Sequence, residues 1–229
     1  MNNKGFHLSS LTQKTILAVA GLFLILFLIV HLGINLFLLP ITEGHADIFR
    51  DAAHFMGTNP VVRVFEVVLM AAFLIHIVLG IIIQVQNWKA RGQRYAVYGK
   101  SYTSFGSRFM IHTGIVIFLF LILHFIHFYF IKLGIMDPIA GSGISPATAE
   151  EKFYELAVYL FSERIIYSVV YIIAFLFLAV HLNHAFQSAF QTLGFNHPRY
   201  TPVIKTIGTI YAIVISLGFI IIPVYFLIA

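Results

Sequence analysis

Residues Thr15–Leu39 read TILAVAGLFLILFLIVHLGINLFLL, 25 residues with no permanent charge and one ionisable side chain, His31. At a helical rise of about 1.5 Å this run is long enough to cross a hydrocarbon core of about 30 Å. Four further runs share the property: Val61–Asn87, Arg108–Lys132, Arg164–Leu193 and Val203–Ile228. The first run is too long for a signal-peptide core and no small-residue cleavage site follows it, so it is expected to stay in the mature protein. Composition agrees. Of the 229 residues 60% are hydrophobic and 10% charged, against roughly 25% charged in soluble domains. Mean hydropathy is +0.93. A soluble globular fold is excluded, and the expectation is a single all-α integral membrane domain over residues 1–229 with five transmembrane helices.

The chain has no cysteine. That removes disulfides, thiolate-held iron–sulfur clusters, Cys-type zinc sites and covalently attached c-type haem. Any metal or cofactor here is held by His, carboxylate, Met or Tyr, so the eleven histidines are the residues to explain.

Charge sets the expected orientation, because Lys and Arg gather on the cytoplasmic side. Lys4, Lys14, Lys89, Arg91, Arg94, Lys100, Arg108, Arg199 and Lys205 share one side with no acid among them. Arg50, Arg63, Lys132, Lys152 and Arg164 share the other with every acid in the chain, from Glu43 and Asp47 to Glu163. The N-terminus is therefore expected inside. This asymmetry accounts for the net charge of +5, and nucleic acid is not an expected partner. On the acidic side, Glu43–Pro60 suggests a short helix folded over the surface. Ser145-Pro146 reads as the start of another helix, with Phe153, Leu156, Ala157, Leu160 and Phe161 at helical spacing, lying at the membrane interface. On the basic side, Trp88–Ser107 is polar, basic and aromatic, a surface suited to docking a soluble partner.

Histidine occurs within four of the five spans: His31, His76, His112 with His124 and His127, and His181 with His184. One buried His is readily explained by a hydrogen bond between helices; four at matched depths ask for a shared role. His31 lies eight residues from Leu39 and His124 eight from Lys132, each about 12 Å below the acidic boundary. His76 is fifteen residues in from Val61 and His181 seventeen in from Arg164, about 22 and 25 Å down. Two levels of two imidazoles across a four-helix bundle match two bis-His haem sites. Gly21 and Gly114, each ten residues before His31 and His124, sit at the deeper level. There they give room for a porphyrin edge or for close helix packing. Gly80 is open to both readings. Spacing does not choose between His124 and His127, or between His181 and His184. His112, near the basic end, suits a propionate, quinone or water contact, while His7, His45, His54 and His197 are expected to be solvated in loops.

Four segments carry a family resemblance: Gly21 through His31, His76-Ile-Val-Leu-Gly80, Thr113-Gly114 through His124, and His181-Leu-Asn-His-Ala-Phe-Gln-Ser-Ala-Phe-Gln-Thr-Leu-Gly194. In order and spacing they resemble the cytochrome b membrane-anchor subunit of succinate dehydrogenases and fumarate reductases, in its single-chain, five-helix, dihaem b558 form found in bacteria. The resemblance covers nearly the whole chain, the loops least. It implies His76 and His181 as ligands of a haem b near the cytoplasm and His31 with His124 as ligands of a second haem b. It implies flavoprotein and iron–sulfur subunits docked on the cytoplasmic face of a bacterial inner membrane, menaquinone as the favoured quinone, and a dimer of the whole complex as one arrangement. Arg94, Lys100, Arg108 and His112 could then meet haem propionates or the partner, although topology alone also explains Arg94 and Lys100. One position departs from the pattern. Where dihaem fumarate reductases carry a Glu two residues before the fourth-span ligand, this chain has Ala179, which favours the succinate-oxidising direction.

Quinone chemistry moves protons with electrons and needs a titratable group near the ring. Glu43, Asp47, Asp51, His54 and Glu66 are candidates on the acidic side, with Asp51, Glu66 and His54 foremost; a solvated acidic loop is the plainer reading of each. Two rivals remain. A cytochrome b anchor of a hydrogenase or formate dehydrogenase would share the haems but dock its partner outside. A cofactor-free transporter using His for proton coupling would need acids or broken helices near the midplane, and no span has a deep acid or a Pro before Pro223.

Overall fold

The computed structural model describes residues 9–90 and 105–229. Most of the expected docking surface, with Arg91, Arg94 and Lys100, lies outside those residues, as do Lys4 and His7. Every regular element described is helical: α1 (Ser10–Asn35), α2 (His45–Thr58), α3 (Pro60–Ala90), α4 (Phe105–His124), α5 (Phe130–Lys132), α6 (Phe153–Glu163), α7 (Ile165–Thr192) and α8 (Thr201–Ile228). A π-helical turn, Phe125–Tyr129, joins α4 to α5. Five stretches are long and apolar enough to cross a membrane: Ser10–Leu38, Pro60–Lys89, Phe109–Lys132, Ile165–Thr192 and Thr201–Ile228. This is an all-α, five-span membrane protein.

Local sequence explains where the helices stop. Ser9 caps α1, its hydroxyl accepting from the Thr12 backbone N–H at 3.1 Å, as Ser does at an N-cap. Asn59 closes α2 and caps α3: its Oδ1 accepts from Val61 N and Val62 N at 2.9 and 3.3 Å, and Pro60 takes the first helical position, where no N–H is needed. At the far ends of α5 and α7, Gly134 and Gly194 adopt φ of 66° and 92°. Ile135 N then reaches back to Phe130 O, and Phe195 N to Phe190 O. Only glycine reaches that left-handed turn without strain, and the six-residue closure satisfies helix-end carbonyls.

The antiparallel spans give the molecule two ends: the N-face, where α1 begins, and the acid face, where α3 and α7 begin. The packing is uneven. α1 lies against α3 and α7, α4 against α7, and α8 fills the groove beside α7 and α1, whereas α3 and α4 barely touch. Small residues let α8 approach closely. A Cβ on Gly208 would come within 2.8 Å of the Phe186 ring, and one on Gly218 within 2.7 Å of Leu32. Tyr211 donates to the Ile25 carbonyl at 2.6 Å, tying α8 to α1.

Over the acid face lies a helical cap made of α2, α6 and a 3-10 turn, Pro146–Glu151. The expected helix in Glu43–Pro60 is α2. The segment after Ser145-Pro146 differs from expectation: Pro146 opens the 3-10 turn, the backbone leaves helical geometry at Lys152, and α6 begins at Phe153. Its apolar stripe does not lie on lipid. Leu156, Ala157, Leu160 and Phe161 are buried against the bundle. Arg50 ties the cap together, donating to Glu155 Oε1 at 2.7 and 3.1 Å and to Asp47 Oδ1 at 2.7 Å. Chiefly through Glu155, these carboxylates push the Arg50 guanidinium above its ordinary pKa. Tyr154, under the same guanidinium at 4.9 Å, has its phenol raised, mainly by burial.

Candidate functional site

The four span histidines meet in twos. On the N-side, His76 of α3 and His181 of α7 have ring centres 6.3 Å apart with planes at 66°. On the acid side, His31 of α1 and His124 at the end of α4 have ring centres 5.8 Å apart with planes at 84°. These are the two pairs that counting depth along each span had placed at common levels. Among the described residues no third His, Asp or Glu joins either pair, and no cluster of three such groups is arranged to hold an ion. A metal between two imidazoles here would take its other ligands from outside the described residues.

The spacing suits that geometry. Imidazole nitrogens about 2.0–2.1 Å from a first-row metal, one on each side, put the ring centres about 6 Å apart. The alternative reading, a hydrogen bond between helices, has the Leu17 backbone of α1 beside the His76 ring, but Nδ1 is buried without a well-formed hydrogen bond. A buried polar nitrogen in that state is costly unless another partner takes it.

The glycines lie at the N-side level, against the rings. A Cβ on Gly21 would touch His76 Cε1 and Nδ1 at 3.5 Å, and one on Gly114 would touch His181 Cε1 at 3.7 Å. Each glycine therefore seats the imidazole of the neighbouring helix, as the close-packing reading of these positions expects. Gly80 faces open space, with nothing within 4 Å of its Cβ position, so close packing does not explain it.

Neighbouring hydroxyls orient the rings. Thr113, buried in α4, donates its single proton to the Met110 carbonyl at 3.0 Å. Its oxygen can then only accept from His181 Nδ1, 3.2 Å away, which leaves the lone pair of His181 on Nε2. Partners of this kind fix the tautomer of metal-binding imidazoles. At His31, Asn35 Nδ2 donates to the His31 carbonyl at 2.7 Å and lies 3.4 Å from Nδ1. At His124, the Tyr171 hydroxyl stands 3.5 Å from Nδ1, and the same hydroxyl is 3.1 Å from His127 Nδ1. Both Tyr171 and His127 are buried.

The remaining candidates do not converge on these pairs. His112 is exposed on α4 with its ring against Phe109, and Arg108 lies in the first turn of that helix. His184 is half-buried one turn beyond His181. Asp51 and His54 are exposed and line an acid-face cleft of about 230 Å³ with Arg50, Ala53 and Glu151. Glu66 is not in that cleft. It is paired with Lys132 of α5 at 2.6 Å, so the acids grouped from sequence belong to separate places. His45 is not simply solvated, since its Nδ1 meets the Phe37 carbonyl at 3.1 Å.

Sequence reasoning gave no role to Thr113 and did not consider Tyr171. A signal for Tyr171 was available: it lies seven residues in from Arg164, about 10 Å down, close to the level of His124. Compared with protein families, curated proteins and solved structures, the chain finds no match.

Proposed function

We propose that this protein is a dihaem cytochrome b membrane anchor of a succinate dehydrogenase or fumarate reductase, carrying electrons between an iron–sulfur subunit and membrane quinone. The observation that carries the reading is the meeting of four imidazoles from four helices as two facing pairs, 5.8 and 6.3 Å between ring centres. In this reading His76 with His181, and His31 with His124, each hold one haem b. Haem, when bound, supplies one-electron redox chemistry. The chain's own residues position and tune it: Thr113 holds His181 in the tautomer with Nε2 free, Gly21 and Gly114 let the N-side rings seat, and the surrounding apolar bundle excludes water.

The charge distribution along the sequence favours the N-face as cytoplasmic; the flavoprotein and iron–sulfur subunits docked there, and the bacterial inner membrane, are what the family resemblance implies. Menaquinone is the proposed quinone. Of the acid-face groups, Glu66 with Lys132 lies within the bundle wall, while Asp51 and His54 line the open cleft. Either place could exchange quinone protons.

Haem analysis of the purified protein after haem-replete expression tests the reading. Two b-type haems per chain are expected, with a succinate-oxidising flavoprotein co-purifying. A colourless protein refutes it, and haem with a hydrogenase or formate dehydrogenase partner transfers the chain to that class. In the assembled complex, Asp51→Asn or Glu66→Gln is expected to lower quinone-linked turnover several-fold with haem content unchanged. Wild-type turnover in both would remove these residues from the mechanism.

A further inference from the structure

Four span histidines have a place in the proposed function, and His127 does not. Yet it is the most enclosed histidine described, 4% exposed, and it sits in the π-helical turn Phe125–Tyr129 directly after His124. Such turns are rare and recur at functional sites. Among the described residues, the only hydrogen-bond partner of its Nδ1 is the Tyr171 hydroxyl at 3.1 Å. The Tyr171 ring is buried among those of Phe120, Phe161 and Phe175, with centres 4.8, 5.2 and 6.0 Å from its own. The hydroxyl's hydrogen-bond partners among the described residues are two imidazole nitrogens, Nδ1 of His127 and Nδ1 of His124.

A phenol has one proton to give. If Tyr171 donated to His124, the imidazole proton would move to Nε2, and the nitrogen left to face an iron would have no lone pair. If Tyr171 donates to His127, its oxygen accepts from His124 Nδ1–H, and Nε2 keeps its lone pair. The shorter contact, to His127, agrees with the second arrangement. At the N-side level the Met110 carbonyl takes the Thr113 proton and so turns that hydroxyl into an acceptor for His181. His127 stands in the corresponding place on the acid side.

We propose that His127 is a positioning residue for His124, accepting the hydrogen bond that the Tyr171 hydroxyl donates, so that the hydroxyl oxygen accepts from His124 Nδ1–H and leaves Nε2 free to bind iron. The proposal rests on the dihaem reading above. It also orders the variants in a way that simple packing does not. With His127→Phe the Tyr171 proton has no acceptor except His124 Nδ1, so the hydroxyl opposes ligation. With Tyr171→Phe the conflict is absent and His124 loses only a weak partner.

The test uses the purified full-length protein in detergent, with haem content, a redox titration and the low-temperature electron paramagnetic resonance lines of each ferric haem as readouts. The N-side haem serves as an internal folding control. His127→Phe is expected to cost the acid-side haem about tenfold in affinity. Alternatively, where the haem is retained, its ferric–ferrous equilibrium shifts about tenfold toward the ferrous form, an upward step of about 59 mV for one electron. Adding Tyr171→Phe to His127→Phe should restore the acid-side haem toward the single Tyr171→Phe behaviour, and His127→Gln, which keeps an acceptor, should stay near wild type. An acid-side haem unchanged in His127→Phe, equal shifts at both haems, or losses that add in the double variant would each overturn the proposal while leaving the dihaem reading intact. A wild-type protein without haem would overturn that parent reading and this one with it.

Discussion

The two histidine levels draw their rings from different helices, α3 with α7 on the N-side and α1 with α4 on the acid side, and their surroundings differ. On the N-side, each ring is seated on a glycine of the neighbouring helix, and His181 is held by a threonine whose proton is already committed to its own helix. On the acid side no glycine faces the rings. There His31 stacks on Phe27 with ring centres at 5.1 Å, His124 is surrounded by Phe120, Phe125, Phe128 and Tyr171, and the hydrogen bonding runs through two further buried side chains. A small residue suffices where the backbone itself carries the clearance. A network is needed where bulky aromatics fill the space and the hydroxyl proton must be directed.

The comparison breaks most sharply at the ligands. His181→Ala or His76→Ala should remove one haem and His124→Ala or His31→Ala the other, each taking the content from two to one per chain by pyridine haemochromogen assay. Loss of both from any single change would show that the levels are not independent. Next come the glycines. Gly21→Ala and Gly114→Ala meet the rings at ordinary contact distance and should be tolerated. Gly21→Leu or Gly114→Leu should displace the ring it faces and deplete the N-side haem severalfold more than the acid-side haem, read from the two reduced spectra. Thr113→Val, which leaves His181 Nδ1–H without an acceptor, should weaken the N-side haem about tenfold, with Thr113→Ser near wild type.

The smallest effect lies away from both levels. Arg50→Ala breaks a cap whose ion pairs are 39–79% exposed, and such pairs are worth about 0–1 kcal/mol. The stability read from a thermal melt should fall by no more than that and should converge with wild type at high salt. The guanidinium is raised above an already high pKa, so its contribution is fully present below the ordinary Arg pKa and is lost as pH rises through the raised one. The melt difference should therefore be flat across neutral pH.

Much of the site could be read along the chain, as far as linear position reaches. His31 and His124, and His76 and His181, share depths because rise per residue is constant, and Gly21 and Gly114 share a level for the same reason. What linear counting left open was direction around each helix. His124 and His127 are three residues apart on adjoining faces, and only the facing helix shows that one meets His31 while the other meets Tyr171. The pairing of Glu66 with Lys132 was hidden in the same way. The π-helical turn fits one more residue into the helix and rotates everything beyond it by about 100°, a change that hydrophobic periodicity does not register. The cap was half legible: α2 and the apolar stripe of α6 follow from patterning, but lipid and protein are equally apolar partners for that stripe.

The amino-acid order by itself determined five crossings, four of them carrying histidine at two depths, and a chain whose acids all fall toward one end. Those are consequences of composition and of a fixed advance per residue, which need no neighbour. The tertiary structure decided which imidazole faces which, that the glycines seat rings, and that a tyrosine hydroxyl is shared between His124 and His127. Azimuth, contact and proton direction are properties of helices packed against one another, and nothing in a single helix sets them.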